Sequence, residues 1–326
     1  MRAVVPVSGQ LTWRDVPDPL AGEGEVLIKV RAAGINRADL LQAAGKYPPP
    51  PGASDIIGLE VSGVVAALGR DVTNLVVGQE VCALLSGGGY AELVAAPAGQ
   101  VMPIPPGVSV ADAAALPEVA CTVWSNLVMR ARLTRGEFVL LHGGASGIGT
   151  HAIQVARTLG ARIAVTAGSP AKLELCSGLG AEVLIDYASE DFVAKVREAT
   201  SGHGADLILD LMGASYFQRN LDALAFDGLL VIIGMQGGVT TDLNIGALLA
   251  KRLTVLGTAL RNRPVGGPHG KAVIVDAVVE SVWPMIAAGT VRPVIGARYP
   301  IDQATEAHRA LAAGETYGKV LLDLQP

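Results

Sequence analysis

Cysteine, aromatic residues and excess positive charge are all scarce in this sequence. The 326 residues include three cysteines, Cys82, Cys121 and Cys176, which are far apart and odd in number. They support neither a disulfide framework nor a cysteine-based metal cluster. Lys and Arg number 25 against 30 Asp and Glu, so the net charge is −5, and no basic run stands out. The electrostatic footprint of nucleic-acid binding is absent, and we expect small-molecule partners.

Long apolar runs are missing as well. No run reaches the roughly 18 residues of a membrane-spanning helix. The first residues lack the charged region, apolar core and cleavage site of a secretory signal. We therefore expect a cytoplasmic protein without membrane contact. Half of the residues are hydrophobic, 40 are glycine and 4% are aromatic, a composition typical of an α/β enzyme. The length predicts two domains with separate cores.

One stretch reads as a strand, a tight turn and a helix. Phe138 to Leu141 form a short apolar run typical of a buried parallel strand, and apolar residues recur at helical spacing from Ile148 onward. Between them lies the dinucleotide-binding pattern G-x-G-x-x-G, with Ser146 in place of the second glycine. Glycines there let a pyrophosphate approach the backbone and the N-terminus of the helix. We predict cofactor contacts from this turn, against the alternative of an ordinary glycine-rich turn; the residues are Gly144, Ala145, Ser146, Gly147, Ile148 and Gly149.

The periodicity divides the chain into three segments. Residues 1–122 hold short β-like runs punctuated by glycine and proline, which predicts a compact β-rich domain. Residues 123–264 alternate strands and helices, which predicts a doubly wound parallel sheet with right-handed crossovers. Residues 265–326 hold a long predicted helix and a last strand that return to the first domain. Finer predictions are a helix over 113–116 that Pro117 breaks, a second helix over 120–129, a third over 216–225 and an edge strand over 253–257.

The end of the second strand of the parallel sheet indicates which dinucleotide is bound. An NAD-selective domain carries an acid about 20 residues past the glycines, on the ribose 2′-hydroxyl. Here Arg162 to Ala167 run instead into Gly168, Ser169 and, three residues on, Lys172. A hydroxyl and an ammonium suit a 2′-phosphate, so the sequence predicts NADPH. Ser169 before proline is equally a good helix N-cap, and Lys172 alone would be an ordinary surface lysine.

Together these features resemble the medium-chain dehydrogenase/reductase superfamily, and within it the zinc-free quinone oxidoreductases, closest to the p53-inducible branch. The resemblance covers nearly the whole chain. The glycine turn contributes to it, together with residues 34–39, 45–54, 58–63 and 317–320. It implies a GroES-like β-rich catalytic domain and a Rossmann nucleotide-binding domain.

Three positions depart from the zinc-dependent branch of that superfamily. Asn36 stands where those enzymes carry a cysteine ligand, Leu59 where they carry a histidine, and Glu118 near the third ligand, another cysteine. A catalytic zinc needs three protein ligands and an open position, which these residues do not supply. We expect no metal, and hydride transfer to an acceptor that needs little polarisation, a quinone or an activated enone.

The resemblance also implies roles for individual residues. Tyr47, Ser146 and Asn36 are the predicted catalytic residues, with Tyr47 and Ser146 orienting the acceptor. The further predicted cofactor contacts are Asn36, Tyr47, Thr122, Gly168, Ser169, Lys172, Tyr187, Gly234, Leu260, Arg261, Arg263 and Lys319. Of these, Lys172 and Tyr187 would hold the 2′-phosphate. Alternatives stay open at this stage: Asn36 as a helix cap, Tyr47 as a surface loop tyrosine, Thr122 as a buried or capping hydroxyl, and Tyr187 as packing under the sheet edge.

Other functions and an assembly state remain to be weighed. An enoyl-thioester reductase of the same superfamily would also use a tyrosine acid, and Tyr47 does not exclude it. A non-enzymatic NADPH-binding protein, as in the lens crystallin relatives, is a third interpretation, although the acidic balance argues against RNA binding.

The apolar strand over 253–257 would expose open backbone groups at a sheet edge, so we predict a homodimer formed there.

Overall fold

The computed structural model describes residues 1–7 and 9–324. Its strands are β1 (Arg2–Val7), β2 (Gln10–Asp15), β3 (Glu25–Ile35), β4 (Glu60–Leu68), β5 (Glu80–Leu84), β6 (Leu93–Pro97), β7 (Val101–Pro103), β8 (Phe138–Leu141), β9 (Arg162–Ala167), β10 (Val183–Asp186), β11 (Ala205–Asp210), β12 (Leu224–Ile232), β13 (Thr254–Gly257), β14 (Ile295–Pro300) and β15 (Lys319–Asp323). Its α-helices are α1 (Arg37–Ala43), α2 (Val110–Ala113), α3 (Pro117–Val123), α4 (Gly147–Thr158), α5 (Pro170–Leu179), α6 (Phe192–Ala199), α7 (Phe217–Ala223), α8 (Ile245–Lys251), α9 (Lys271–Ala287) and α10 (Ala304–Ala312).

Two compact units share the chain. The first consists of residues 1–121, 260–289 and 293–326, and the second of residues 122–259 and 290–292. The chain enters the second unit at Thr122 and is back in the first at Leu260. The side chain of Arg261, which directly follows, hydrogen-bonds to Gln42, Tyr47 and Ser86 of the first unit. Residues 325 and 326 of the predicted third segment lie outside the described residues.

The first unit is built on a strongly paired, mostly antiparallel sheet. Its strand order is β14-β15-β3-β4-β5-β7, and β6 pairs with β3; β1 and β2 form a separate two-stranded sheet. The long strand β3 alternates buried aliphatic residues, among them Val26, Ile28 and Val30, with more exposed ones. That alternation places one face on the core, as expected for such a sheet. The carboxyl end of β3 leads directly into Asn36.

The second unit holds a six-stranded parallel sheet in the order β10-β9-β8-β11-β12-β13. Counted within the unit, that order is 3-2-1-4-5-6, the order of a dinucleotide-binding fold. All four residues of β8 are buried, as its unbroken apolar sequence predicts for a central strand. The predicted doubly wound parallel sheet is confirmed, and β13 lies at its edge as expected.

Local structure differs from the pattern-based prediction at several helical segments. The helix predicted over 113–116 lies earlier, as α2 (Val110–Ala113), because Ser109 caps it by accepting from the Asp112 N–H. Pro117 begins α3 instead of only ending the preceding helix, since proline at the first helical position needs no N–H partner. The chain then continues as a π-helix over Trp124–Arg130, where a single α-helix is predicted over 120–129. The predicted helix over 216–225 ends at Ala223, because Leu224 turns extended and pairs with Ala205 of β11. Among the described residues, no helix combines the length and the apolar character needed to cross a bilayer.

Candidate functional site

The glycine turn of the second unit leaves almost no space beside its backbone. A Cβ on Gly144 would lie 2.7 Å from Cβ of Val165, and one on Gly149 would overlap the carbonyl oxygens of Gly143 and Gly144. The Gly144 N–H donates to the Thr166 carbonyl at 2.9 Å, which ties the turn to β9. Glycine is therefore required at both positions by close packing of turn, strand and helix, as a pyrophosphate-binding turn demands.

Ser146 is the N-cap of α4. Its Oγ accepts a hydrogen bond from the Gly149 N–H at 3.1 Å, and its backbone is extended. This hydrogen bond caps the helix. The hydroxyl proton is not used by that bond, so Ser146 can still donate to a ligand. The structure leaves both the capping and the acceptor-orienting role available.

The turn lies where the strand order of the parallel sheet reverses. The turn follows β8, which lies between β9 and β11 in the sheet. The neighbouring strand β11 ends at Asp210, whose carboxylate accepts from the N–H groups of Met212 and Gly213. Gly234 follows β12 at the same end, and a Cβ there would lie 2.7 Å from the Leu211 carbonyl oxygen. Ligands of open parallel sheets bind at the carboxyl ends beside such a switch point. The predicted contacts 144–149 and Gly234 therefore lie together at the carboxyl ends of the strands of this sheet.

Four predicted phosphate-site residues come together at the ends of β9 and β10. Ser169 caps α5, and its Oγ accepts from the Lys172 N–H at 3.4 Å. The Tyr187 N–H donates to the Ala167 carbonyl at 3.2 Å, and a Cβ on Gly168 would collide with the Tyr187 hydroxyl. The Tyr187 side chain therefore lies over Gly168. Because Tyr187 is 53% exposed, it is not packed beneath the sheet edge. No acidic residue stands between Arg162 and Lys172.

Thr122 lies near the start of the second unit and is buried. Its carbonyl oxygen accepts from the side chains of Ser125 at 3.2 Å and Asn126 at 2.8 Å. Asn126 in turn accepts from the Thr258 hydroxyl at 2.6 Å. This network anchors the π-helical segment to the strand end after β13 and holds Thr122 in a fixed place.

In the first unit, Asn36 belongs to a buried polar cluster. Its amide nitrogen donates to Glu60 at 2.9 Å, and its amide oxygen accepts from the Lys319 ammonium at 2.7 Å. Lys319 also donates to the Ile35 carbonyl and lies 2.6 Å from the Glu60 carboxylate. The second Glu60 oxygen accepts from the Glu118 N–H at 2.8 Å. Both ends of the Asn36 amide are therefore hydrogen-bonded, which sets its orientation. Lys319, itself a predicted cofactor contact, bonds in this structure to Asn36.

Asp39 extends this cluster toward Tyr90. Its Oδ2 accepts from the Asn36 N–H at 2.7 Å and from the Tyr90 hydroxyl at 3.2 Å, and that hydroxyl lies 3.1 Å from Nε2 of His308. Burial raises the pKa of Asp39 to about 7, although the Asn36 N–H and Lys319 oppose the shift. Burial likewise lowers the pKa of His308 to about 4, so its ring is neutral at pH 7.

Glu118 is the second carboxyl of the cluster with an altered acidity. Burial, and then the nearby Glu60 carboxylate, raise its pKa to about 8. Glu118 therefore holds its proton at neutral pH. Sequence reasoning missed Asp39, Glu60, Tyr90 and His308 as members of this cluster. The available signal was an acid inside an apolar strand pattern, at Glu60, since a buried charge requires a partner.

Tyr47 and Arg261 form the other predicted group of the first unit. The Arg261 guanidinium donates to the Tyr47 carbonyl at 3.2 Å, and its carbon lies 5.1 Å from the centre of the Tyr47 ring. Burial raises the pKa of Tyr47. Leu260 begins the same segment, and Arg263 donates to the His269 carbonyl at 3.3 Å. The structure thus brings Arg261 to Tyr47, while Arg263 bonds within its own loop.

The positions that carry zinc ligands in the zinc-dependent branch hold other groups here. Leu59 is 1% exposed and has no ligand atom, and the Asn36 amide bonds to Lys319 and Glu60. Cys82 and Cys121 are buried free thiols whose pKa values are raised by burial. Within residues 1–7 and 9–324, no group of three His, Cys, Asp or Glu side chains is arranged to hold a metal.

Two family models match the chain, one in each part. Residues 22–106 match the alcohol dehydrogenase GroES-like domain, and residues 147–269 match the zinc-binding dehydrogenase family. Curated relatives include two proteins of Mycobacterium tuberculosis. The phthioceranic/hydroxyphthioceranic acid synthase is 37% identical over 179 residues, or 55% of this chain. A phenolphthiocerol/phthiocerol polyketide synthase of that organism is 40% identical over 176 residues, or 54% of this chain. The match spans 8% of the length of each.

Solved structures match over nearly the full chain. A mycobacterial protein complexed with NADPH is 30% identical, with a TM-score of 0.89 and complete coverage of both chains. The Escherichia coli quinone oxidoreductase complexed with NADPH is 27% identical, with a TM-score of 0.88, covering 99% of this chain and 98% of that one. The CurK enoyl reductase is 25% identical, with a TM-score of 0.86 and 99% coverage of both. This chain therefore belongs to the medium-chain dehydrogenase/reductase superfamily of oxidoreductases.

Proposed function

We propose that this protein reduces quinones, or related activated enones and carbonyls, with NADPH and without zinc. The observation that carries the cofactor choice is the group of Ser169, Lys172 and Tyr187 beside Gly168, at a strand end that lacks an acid. A carboxylate there would repel a 2′-phosphate, whereas hydroxyl groups and an ammonium bind it. The related structures solved with NADPH support the same choice.

The residues present fit this dinucleotide. Gly144 and Gly149 let the turn pack closely against β9 and the start of α4, so that a pyrophosphate could bind at the N-terminus of that helix, and Gly168, Ser169, Lys172 and Tyr187 would hold the 2′-phosphate. When bound, NADPH supplies the hydride. In this proposal Asn36, with its amide fixed by Lys319 and Glu60, orients the nicotinamide, and Thr122 and Gly234 add contacts.

Two hydroxyl groups would act on the acceptor. Tyr47 and Ser146 each carry an O–H that can donate to a carbonyl oxygen as negative charge develops there, which stabilises the transition state more than the ground state. Burial keeps the Tyr47 hydroxyl protonated, because it raises the pKa of that group. A quinone needs little further activation, so orientation and exclusion of water are the main contributions expected of the protein.

Within the superfamily, we place the chain in the zinc-free quinone oxidoreductase group, nearest the p53-inducible branch. The glycine turn and residues 34–39, 45–54, 58–63 and 317–320 support this placement. The carboxamide at position 36 and the aliphatic side chain at position 59 support the zinc-free assignment, because neither is a usual zinc ligand. The predicted cytoplasmic location stays a prediction.

An enoyl-thioester reductase is the second candidate function. The CurK enoyl reductase and the polyketide synthase relative favour it. The deciding experiment is NADPH oxidation measured against matched panels of quinones, simple enones and enoyl-thioesters, with NADH in parallel. We expect the highest kcat/KM with quinones. Preference for an enoyl-thioester would replace the first candidate by the second, and NADPH binding without turnover of any acceptor would support a non-enzymatic role.

A homodimer is part of the proposal. β13 is the edge strand of the parallel sheet, and Val255 and Leu256 in it are only partly buried. Leu249 of α8 is 74% exposed and Ile245 is 63% exposed. Pairing of β13 with its twofold copy would cover such an edge. Light scattering at micromolar concentration should give twice the mass of 33.4 kDa; the mass of a single chain would contradict the proposal.

A further inference from the structure

Arg261 makes an unusual set of contacts for a residue predicted to bind a cofactor. It is 3% exposed, and each nitrogen of its guanidinium donates to a different acceptor. Nε donates to the Ser86 carbonyl at 2.9 Å, Nη1 to the Tyr47 carbonyl at 3.2 Å and Nη2 to Oε1 of Gln42 at 2.6 Å. All three acceptors are neutral. The planar fork of the guanidinium is thus used to join three segments of the first unit.

These contacts hold both ends of the loop that carries Tyr47 and the four prolines Pro48 to Pro51. Gln42 lies in α1, before the loop, and its amide nitrogen donates to the Asp55 carbonyl after the prolines at 3.0 Å. Arg261 bonds to Gln42 through the other atom of that amide and to the Tyr47 carbonyl directly. The loop is therefore fixed at its start, at Tyr47 and, through Gln42, at its end.

A second cation fixes Arg261 in turn. The Lys271 ammonium donates to Oγ of Ser86 at 2.7 Å and to the Arg263 carbonyl at 3.0 Å. Ser86, whose carbonyl accepts from Arg261, is therefore also joined through Lys271 to Arg263, two residues after Arg261. Lys271 is itself 2% exposed. The guanidinium is held from several directions, which leaves it little freedom to swing toward a ligand.

The position of the charge also suits the proposed chemistry. The guanidinium carbon lies 5.1 Å from the centre of the Tyr47 ring, and Arg261 opposes the rise that burial produces in the pKa of Tyr47. A fixed cation beside a hydrogen-bond donor favours negative charge on the oxygen that the donor approaches. Three of the five guanidinium N–H groups are bonded to the protein, and Arg261 is only 3% exposed, so little of the guanidinium is accessible to a phosphate.

We propose that Arg261 is a positioning residue for Tyr47, holding the Tyr47 loop in its reactive conformation, and not a cofactor contact. The inference rests on the proposed function, since it assigns Arg261 to the step in which Tyr47 orients the acceptor. It separates two roles that the sequence could not distinguish, cofactor binding and support of the catalytic tyrosine.

The test is a double-mutant cycle of Arg261→Met and Tyr47→Phe, with kcat for a quinone and the NADPH Kd from fluorescence titration. We expect Arg261→Met alone to lower kcat about tenfold, because small misplacements of catalytic groups are costly, and to change the NADPH Kd less than about twofold. In the Tyr47→Phe background the same substitution should lower kcat less than about threefold, because the two residues act together. Equal losses in both backgrounds, or a weakened NADPH Kd with unchanged kcat, would overturn the proposal.

Gln42→Met provides an independent variant if Arg261→Met does not fold. It removes one acceptor of the guanidinium and the bond to Asp55 while keeping the guanidinium itself. It should lower kcat in the parent protein but not in the Tyr47→Phe variant, again at constant NADPH Kd. Equal loss in both would contradict positioning. A parent protein that turns over no acceptor would overturn the proposed function and this inference with it, whereas an active parent with additive losses overturns this inference alone.

Discussion

The Lys319 ammonium and the Glu60 carboxylate form an ion pair of 2.6 Å with side-chain exposures of 4% and 0%. Lys319 comes from β15 and Glu60 from β4, the two strands that flank β3. Asn36, directly after β3, bonds to both. Three neighbouring strand ends therefore create one charged cluster, in which the amide of Asn36 has a single orientation.

Removing one partner of this pair should be more harmful than removing both. We expect Lys319→Met to lower the free energy of unfolding by about 3–5 kcal/mol, because Glu60 would remain buried without its cation. The double variant Lys319→Met with Glu60→Gln should recover most of that loss, since no uncompensated charge is left. Urea unfolding of the three proteins tests this. A double variant less stable than the single one would contradict it.

Asp39 should make stability depend on pH. Its pKa is about 7 in the folded protein against an ordinary 3.8. The folded state therefore binds this proton more tightly than the unfolded chain, so the contribution of Asp39 is full below about pH 4 and is lost as pH rises through about 7. Asp39→Asn, which keeps an oxygen acceptor for the Asn36 N–H, should lose less stability than the parent over that range. Parallel curves of unfolding free energy against pH would refute the assignment.

Lys172 should determine the preference for NADPH. We expect the parent to bind NADPH more tightly than NADH and Lys172→Ala to weaken NADPH tenfold or more, because a charge-assisted contact is worth about 1.5–3 kcal/mol. NADH binding should change little. Lys29→Ala, at an exposed position of β3, controls for the loss of one positive charge. Fluorescence titration with both cofactors checks this, and equal affinities in the parent would show that the phosphate site is wrongly assigned.

Tyr47 and Ser146 should affect turnover more than cofactor binding. We expect Tyr47→Phe and Ser146→Ala to lower kcat about tenfold, below the usual effect of such donors because a quinone is already electrophilic. Ser146→Ala also removes the N-cap of α4, which costs about 1 kcal/mol of stability. Ser146→Thr is the matched control, since it keeps both the cap and the donor. Quinone kinetics and NADPH titration decide the matter: altered NADPH affinity at constant kcat would make both residues scaffolding.

Turnover should not depend on a metal. Leu59 offers no ligand atom, and the Asn36 amide is engaged by Lys319 and Glu60. A catalytic zinc requires three protein ligands, which these positions do not supply. Exhaustive treatment with chelators should leave kcat with a quinone unchanged. Zinc found in a one-to-one ratio by metal analysis of the purified, active protein would be incompatible with this expectation.

Local features of the chain were open to prediction because their causes are local. The apolar run from Phe138, the glycine spacing to Gly149 and the Ser169-Pro170 cap each depend on neighbours in sequence, and strand, turn and helices form where predicted. The fold class followed from the alternation of such elements, because period and loop length restrict how strands and helices can pack. The ends of α7 and α3 were less well predicted, since pairing of Leu224 with β11 and the π-helical turns depend on distant contacts.

The sequence by itself determined the two-part architecture, the glycine turn and the absence of an acid before Lys172, because composition, periodicity and spacing carry that information. Only the tertiary structure decided which side chains act together. It paired Lys319 with Glu60, which are 259 positions apart in the sequence. It also joined Arg261 to Tyr47, although the sequence of the second unit lies between them. The first pairing arises because β15 and β4, far apart in sequence, both flank β3 in one sheet, and the second because two loops of the first unit meet. Burial then forces the charged groups to find partners.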